Sequence, residues 1–373
     1  MTAVADRCAE AVALVTEVIG ERADEWDRAG RLPAAVPVAL AEHGLLCPDV
    51  PAEFGGRGLT SAELGELTAH AGSLCSSVRS LMTSQGMVAW AVRRLGDAGQ
   101  QAAWLPRLAS GARAAIAFSE PGAGSDLAAM TTTIAAGGDQ VEISGTKVWV
   151  TAAEYADHIL AFGRCGAGGA AVLVPADAPG VTITRIDDPL GCRAAGHATV
   201  RLDAVRLPAA AHLLGGAGMP MEWLVTSVLT HGRLSVGWGC VGILRACVAA
   251  AVRHAGARQQ FGRPLADHQL VARHLAELHL AEQAATRMCE YASACRDDGS
   301  PEQVAAAVAA KHFAATRAAA GAAAAVQVLA SAAALDGHVV ARAYRDAKLM
   351  EIIEGSSEIS QLLLAQDAQE RWK

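Results

Sequence analysis

The sequence predicts a mainly α-helical protein interrupted by a central β domain. Three observations carry this reading. The chain has 373 residues, more than a single hydrophobic core usually serves, so two or three domains are expected. Both ends are rich in Ala and Leu, strong helix formers, and repeat apolar residues at helical spacing. Between residue 114 and about residue 212 the texture changes to short apolar runs separated by Gly and Pro. The expected domains are therefore a helical unit over 1–113, a small antiparallel sheet or barrel over 114–212, and a helical bundle over 213–373.

Residues 11–26 form the first helical pattern, and Pro33 opens a second that ends near His43-Gly44. The stretch 49–59 carries Pro51, Gly55, Gly56 and Gly58 and reads as a loop. Ser61 is the expected N-cap of the next helix, with Glu63 and Glu66 in its first turns. Gly96-Asp97 and Ser110-Gly111 read as stops. Residues 114–118 are a short apolar run, followed by a turn-rich loop over 120–126. Residues 141–151 read as two strands around a Ser144-Gly145 hairpin, and 158–162, 170–174, 181–186 and 198–202 are further strands. Helical stretches follow near 219–256, 266–296, 301–335 and 338–352, with a short final one.

Composition narrows the function. Net charge is −7, from 31 basic and 38 acidic residues, without a basic block, so a nucleic-acid partner is not expected. Nine cysteines lie in apolar runs with no CxxC pair, which reads as small buried hydrophobes in a reducing compartment. No basic-then-apolar leader and no uncharged run of about 18 residues with spanning character is present, so a cytoplasmic protein away from membranes is expected. His268, His274 and His279 lack the four-residue spacing of a helical two-histidine site, and no metal is expected. There is no GxSxG elbow for a nucleophilic serine.

Four segments carry candidate chemistry. Phe118-Ser119-Glu120-Pro121-Gly122-Ala123-Gly124-Ser125-Asp126 offers exposed backbone N–H groups and two hydroxyls to a phosphate or a flavin edge, or is a structural turn. Trp149 and Thr151 stand two apart on an expected strand and so share a face, where one could cover an aromatic ring that the other hydrogen-bonds. Arg258 and Arg263 flank Phe261-Gly262 ahead of His268-Gln269, offering guanidinium forks to phosphates or only a solvated helix end. Ile352-Ile353-Glu354-Gly355-Ser356-Ser357 places a carboxylate at a helix break, with Ser356 or Ser357 capping the next helix. Apolar surroundings would raise the Glu354 pKa and suit it to a general base, whereas Glu351 and Glu358 read as solvated or capping.

In this order the four segments resemble the acyl-CoA dehydrogenase family over nearly the whole chain. The resemblance implies a helical domain, a middle β-barrel and a C-terminal four-helix bundle, FAD as cofactor, and a dimer or tetramer. It implies that Phe118, Ser119, Gly124, Ser125, Trp149 and Thr151 line the flavin, and that Arg258, Phe261, His268 and Gln269 reach the FAD of a neighbouring subunit. Glu354 matches the catalytic base that removes the α-proton as the β-hydrogen leaves as hydride, with Ser356 and Ser357 near the cofactor and Arg233 and Gly355 on the substrate side. An electron-transfer flavoprotein or oxygen would reoxidise the flavin.

Two departures from the family pattern stand out. Gln327-Val328-Leu329-Ala330-Ser331 keeps the glutamine of a Gln-x-x-Gly-Gly pyrophosphate motif but neither glycine. Thr230 stands where the family tends to have an Asp that helps bind CoA, three residues before Arg233, which hints at another carrier. Residues 73–80, 83–87, 191–198 and 238–247 look like the acyl-ACP dehydrogenases of hydroxymalonyl- and methoxymalonyl-ACP formation in polyketide pathways. That closer resemblance implies an acyl carrier protein as partner, 2-hydroxy-3-oxopropionyl-ACP as substrate, and Arg79, Ser84, Gln85, Arg193 and His197 as candidates for its polar groups. The competing readings are a conventional short-chain acyl-CoA dehydrogenase and a flavin-binding scaffold without catalysis.

Overall fold

A computed structural model describes residues 2–373. Six helices come first: α1 (Thr2–Ile19), α2 (Ala23–Ala29), α3 (Ala35–Glu42), α4 (Ser61–Leu74), α5 (Ser76–Leu95) and α6 (Ala98–Ala109). The N-cap of α4 is Thr60, one residue before the expected Ser61. Its hydroxyl accepts from Glu63 N–H while the Glu63 carboxylate accepts from Thr60 N–H. Ser61 is instead the first helical residue, and its N–H is taken by the Asp297 carboxylate.

The β domain is an eight-stranded sheet made of β1 (Ala114–Ala117), β2 (Thr133–Gly137), β3 (Gln140–Val150), β4 (His158–Cys165), β5 (Gly168–Pro175), β6 (Val181–Arg185), β7 (Ala198–Pro208) and β8 (Leu213–Met219). The hydrogen-bonded order is β6-β7-β3-β2-β4-β5-β8, with β1 alongside β4, and the end strands β6 and β8 do not pair with each other. One short helix, α7 (Ala209–His212), precedes β8, which carries the sheet on to Met219, beyond the expected boundary.

The expected hairpin at Ser144-Gly145 is instead a bulge inside the continuous strand β3, where the register against β7 shifts between Ile143 and Gly145. Gly145 is there for close approach: a Cβ would fall 2.3 Å from Thr132 Oγ1. The hairpin joins β2 to β3 at Gly138-Asp139, where Gly138 takes φ +62°.

The C-terminal part holds α8 (Met221–Ala257), a small hairpin of β9 (Gln259–Gln260) and β10 (Arg263–Pro264), α9 (Gln269–Asp297), α10 (Gln303–Leu329), α11 (Val339–Met350) and α12 (Ser357–Arg371). Helix α8 is the hub, packing on α4, α5, α9, α10 and α11. Small residues let the helices come close: a Cβ on Gly242 would meet the Ala69 carbonyl at 2.1 Å. Ala310, Ala314, Ala318 and Ala322, one helical turn apart, are fully buried along α10. By length and composition alone α8 and residues 303–333 could span a membrane, contrary to the sequence expectation, yet most of the apolar stretch of α8 is buried in the bundle. All nine cysteines are free thiols, and eight are buried.

Candidate active site

Helix α11 stops at Met350, four residues before Glu354, close to the expected end near residue 352. Residues 351–355 form a turn in which Glu354 takes φ +55° and Gly355 φ +97°, and Ser356 then caps α12 through Ile359 N–H. A β-carbon-bearing residue pays about 1–2 kcal/mol for the left-handed region, so the turn is held by its surroundings. The Glu354 carboxylate faces inward. A Cβ built on Gly232 of α8 would lie 2.8 Å from Glu354 Oε2 and 2.6 Å from Met87 Sδ of α5. The apolar environment thus comes from α5 and α8 across the fold, whereas the neighbouring Ile352 is largely exposed. Burial raises the Glu354 pKa, and Arg233, Lys311 and Arg79 oppose the rise.

Three cations surround this turn. Arg233 Nε donates to the Glu354 carbonyl at 3.1 Å, and Lys311 Nζ to the Gly355 carbonyl at 2.6 Å. Arg79 is fully buried on α5, with Nη1 on Thr83 Oγ1 and Nη2 2.9 Å from Met350 Sδ, while its Nε has no partner. Among the described residues Arg79 has no carboxylate partner.

A second group assembles around Thr151. Trp149 has φ +55°, and the β3–β7 register slips between Lys147 and Val150, so the strand alternation that would put Trp149 and Thr151 on one face is broken. They converge on His197 all the same. Thr151 Oγ1 lies 3.2 Å from His197 Nδ1, and the indole stands edge-on to the imidazole at 5.9 Å. His197 is buried and its Nε2 has no partner among the described residues; burial, with Arg79 nearby, pulls its pKa down to about 4, so it is neutral at pH 7.

Ser84 and Gln85 do not present free polar groups to a substrate. The Ser84 hydroxyl donates to the Thr151 carbonyl and accepts from Ile116 N–H. Gln85 donates to the Leu108 and Ala112 carbonyls and accepts from Ala114 N–H. Both bind α5 to β1. Arg193 pairs with Asp336 and is not drawn into either group. The Thr230 hydroxyl donates to the Thr226 carbonyl within its own helix.

The glycine-rich loop is tied down by Glu120. This carboxylate accepts from Thr131 N–H, Thr131 Oγ1, Thr132 N–H and Lys147 Nζ, the last at 2.8 Å, in an ion pair whose side chains are 0–1% exposed. Burial opposes ionisation, yet the donors bring the Glu120 pKa down to about 2. The Ser119 carbonyl accepts from Val148 N–H, which sets Phe118 and Ser119 beside β3, while Gly124 and Ser125 are exposed. Phe118 stacks on Phe162 with centroids 4.3 Å apart. Arg258, Phe261 and Gln269 are exposed around the β9–β10 hairpin, and His268 hydrogen-bonds the Gln260 carbonyl through Nε2. Gln327 is exposed in the last turn of α10, apart from that hairpin in sequence. Gly232, Lys311, Met87 and the Glu120–Lys147 pair were missed in the sequence, since each acts through a partner at least 27 residues away.

Three family models match in chain order: the acyl-CoA dehydrogenase N-terminal domain over 7–112, the middle domain over 115–205 and the C-terminal domain over 221–369. The chain belongs to the acyl-CoA dehydrogenase family. This acyl-CoA dehydrogenase is 32% identical over 350 residues to the human mitochondrial short-chain specific acyl-CoA dehydrogenase, covering 92% of the chain and 84% of the relative. FkbI, solved for biosynthesis of the methoxymalonyl extender unit of the FK520 polyketide, is 60% identical with TM-score 0.92, covering 96% of this chain and 99% of FkbI. A glutaryl-CoA dehydrogenase from Mycobacterium smegmatis, solved in complex with FADH2, is 25% identical with TM-score 0.89, covering 99% and 95%.

The enzyme is therefore an FAD-dependent oxidoreductase acting on acyl thioesters. Its residues fit that cofactor. Trp149 is a large aromatic side chain left 56% exposed beside the Thr151 hydroxyl, as a stacking surface for a ring system requires. Among the described residues nothing lies within 4 Å of a Cβ built on Gly122 or Gly124, so the loop backbone is open to a ligand. FAD, when bound, supplies the two-electron acceptor. The chain itself supplies an inward carboxylate of raised pKa.

Proposed function

We propose that this dehydrogenase oxidises 2-hydroxy-3-oxopropionyl-ACP to hydroxymalonyl-ACP, an extender unit on the route to methoxymalonyl-ACP in polyketide assembly. The observation that carries this reading is the 60% identity, over almost the full length of both chains, to FkbI. Arg79 adds support, as a buried guanidinium with an unpartnered Nε close enough to influence both Glu354 and His197 suits an oxygen-rich substrate end.

Glu354 is the catalytic base of this reading. The β-aldehyde of the substrate hydrates to a geminal diol. Glu354 accepts the α-proton while the diol carbon gives up its hydrogen with the bonding pair. The resulting enol of the new carboxyl group tautomerises to the acid, so one proton and one hydride, two electrons in all, leave the substrate and a carboxylic acid remains; the hydride goes to bound FAD. His197, neutral at pH 7, and Arg79 stand ready to donate to the diol and then to the carboxylate. Phe118, Ser119, Gly124, Ser125, Trp149, Thr151, Ser356 and Ser357 line the flavin. Arg258, Phe261, His268, Gln269 and Gln327 serve the cofactor of a partner copy, which makes the working form a homodimer or homotetramer. Reoxidation by an electron-transfer flavoprotein and a cytoplasmic setting complete the proposal.

Anaerobic addition of 2-hydroxy-3-oxopropionyl-ACP tests it. The flavin absorbance should bleach, and the carrier should gain the mass of one oxygen atom. Bleaching by butyryl-CoA together with silence towards the carrier-bound aldehyde would favour the conventional short-chain reading, which the 32% identity to the human enzyme supports.

A further inference from the structure

Two consecutive carbonyls at the catalytic turn are held by two buried cations from different helices. Arg233 Nε of α8 donates to the Glu354 carbonyl at 3.1 Å, and Lys311 Nζ of α10 to the Gly355 carbonyl at 2.6 Å. Arg233 is 5% exposed and Lys311 1%. Lys147, Arg296 and Arg342, whose side chains are also buried, are paired with carboxylates, whereas Arg79 is not. Among the described residues Arg233 and Lys311 form no salt bridge. Burying an ammonium against a neutral carbonyl costs stability that a hydrophobic side chain would not. The cost falls at one place, the two residues whose positive φ turns Glu354 inward.

We infer that Lys311 is a positioning residue for the catalytic base, acting with Arg233 as a two-point clamp on the carbonyls of Glu354 and Gly355. The clamp fixes two peptide planes that no helix holds, because α11 has ended at Met350 and α12 starts at Ser357. Neither cation reaches the Glu354 carboxylate within salt-bridge distance, so the oxygens that accept the proton stay unneutralised. Their charge still reaches it through space. The charged groups around the carboxylate are Arg79 from α5, Arg233 from α8 and Lys311 from α10; Lys311 in turn lies near Cys240 and Glu351.

The inference rests on Glu354 being the base, so the test separates the two claims. With the FAD-loaded enzyme, α-proton exchange of butyryl-pantetheine into D2O is followed by NMR across pH, and amide hydrogen exchange is followed over residues 351–357. Glu354→Gln should abolish α-exchange; a Glu354→Gln variant exchanging at the wild-type rate would overturn the base reading itself. Lys311→Met should slow α-exchange by roughly 100-fold, the scale of a misplaced catalytic group. It should also raise amide exchange over 351–357 and move the acid limb of the rate profile to higher pH, since a nearby cation that favours the carboxylate is gone. Lys311→Gln keeps a donor without the charge. It should recover part of the rate and amide protection while its acid limb stays displaced. If Lys311→Met does not fold, Lys311→Gln reads the same displacement. Wild-type protection over 351–357 together with an unmoved acid limb, in either variant, would overturn the clamp.

Discussion

The Glu354 carboxylate rests against the α-carbon of Gly232, where a methyl group would come within 2.8 Å of Oε2. Residue 232 is therefore a space left for the base. Its size bears on catalysis more than on folding, because the atoms it would strike, Glu354 Oε2 and Met87 Sδ, are the far ends of flexible side chains. Gly232→Ala should lower the rate of flavin reduction by roughly 100-fold, as a misplacement near 1 Å does. Thermal stability should hold, since Ala is the better helix former by about 1 kcal/mol. Stopped-flow reduction and a melting curve on one preparation check both halves.

Glu354→Gln removes the base and keeps the shape. Flavin bleaching by substrate should disappear while FAD stays bound, which an absorbance spectrum before and after substrate addition records. Normal turnover by this variant would require another base.

Glu120 and Lys147 form the ion pair that anchors the glycine-rich loop to β3. Lys147→Met leaves a buried carboxylate without its cation and should cost about 3–5 kcal/mol, read from urea unfolding at pH 7. The pH dependence has a definite sign. The Glu120 pKa is depressed from 4.5 to about 2 in the folded state, so its stabilisation is complete above pH 4.5 and is lost as pH falls towards 2. Wild-type stability should drop through that window, and the drop should shrink in Lys147→Met.

Ala330 occupies φ +51°, ψ −130°, a conformation natural to glycine. Strain of about 1–3 kcal/mol should be relieved in Ala330→Gly, offset by about 0.5–1 kcal/mol of added unfolded-state entropy. The variant should be more stable by about 1 kcal/mol, measured by chemical denaturation.

Legibility in the sequence followed locality. The long helices α8 to α11 repeat apolar or alanine positions over many turns and were visible with ends good to a few residues, except that α10 stops at Leu329, short of the expected 335. The Glu120–Asp126 loop and the Glu354-Gly355-Ser356 break were visible because Gly, Pro and Ser mark chain reversals. Strands β2 and β8 were missed, since Thr133–Gly137 and Leu213–Met219 are rich in glycine and alanine and draw their pairing from β3 and β5. Gly145 was misread as a turn because a glycine required by Thr132, a distant neighbour, looks in sequence like one required by φ. Ser84 and Gln85, candidates for the substrate's polar groups by resemblance, already bond backbone groups of β1 and its approach, pairings that sequence does not record.

The order of the long helices and of the central β unit between them, the break that carries Glu354 and the loop that opens at Phe118 were determined by the sequence alone, because helix periodicity and turn chemistry are written within a few residues. The surroundings that make Glu354 a base were decided only by the tertiary structure. Met87, Gly232 and Lys311 come from three helices separated by scores of residues, and burial, hydrogen bonding and pKa depend on distance in space, which spacing along the chain does not record.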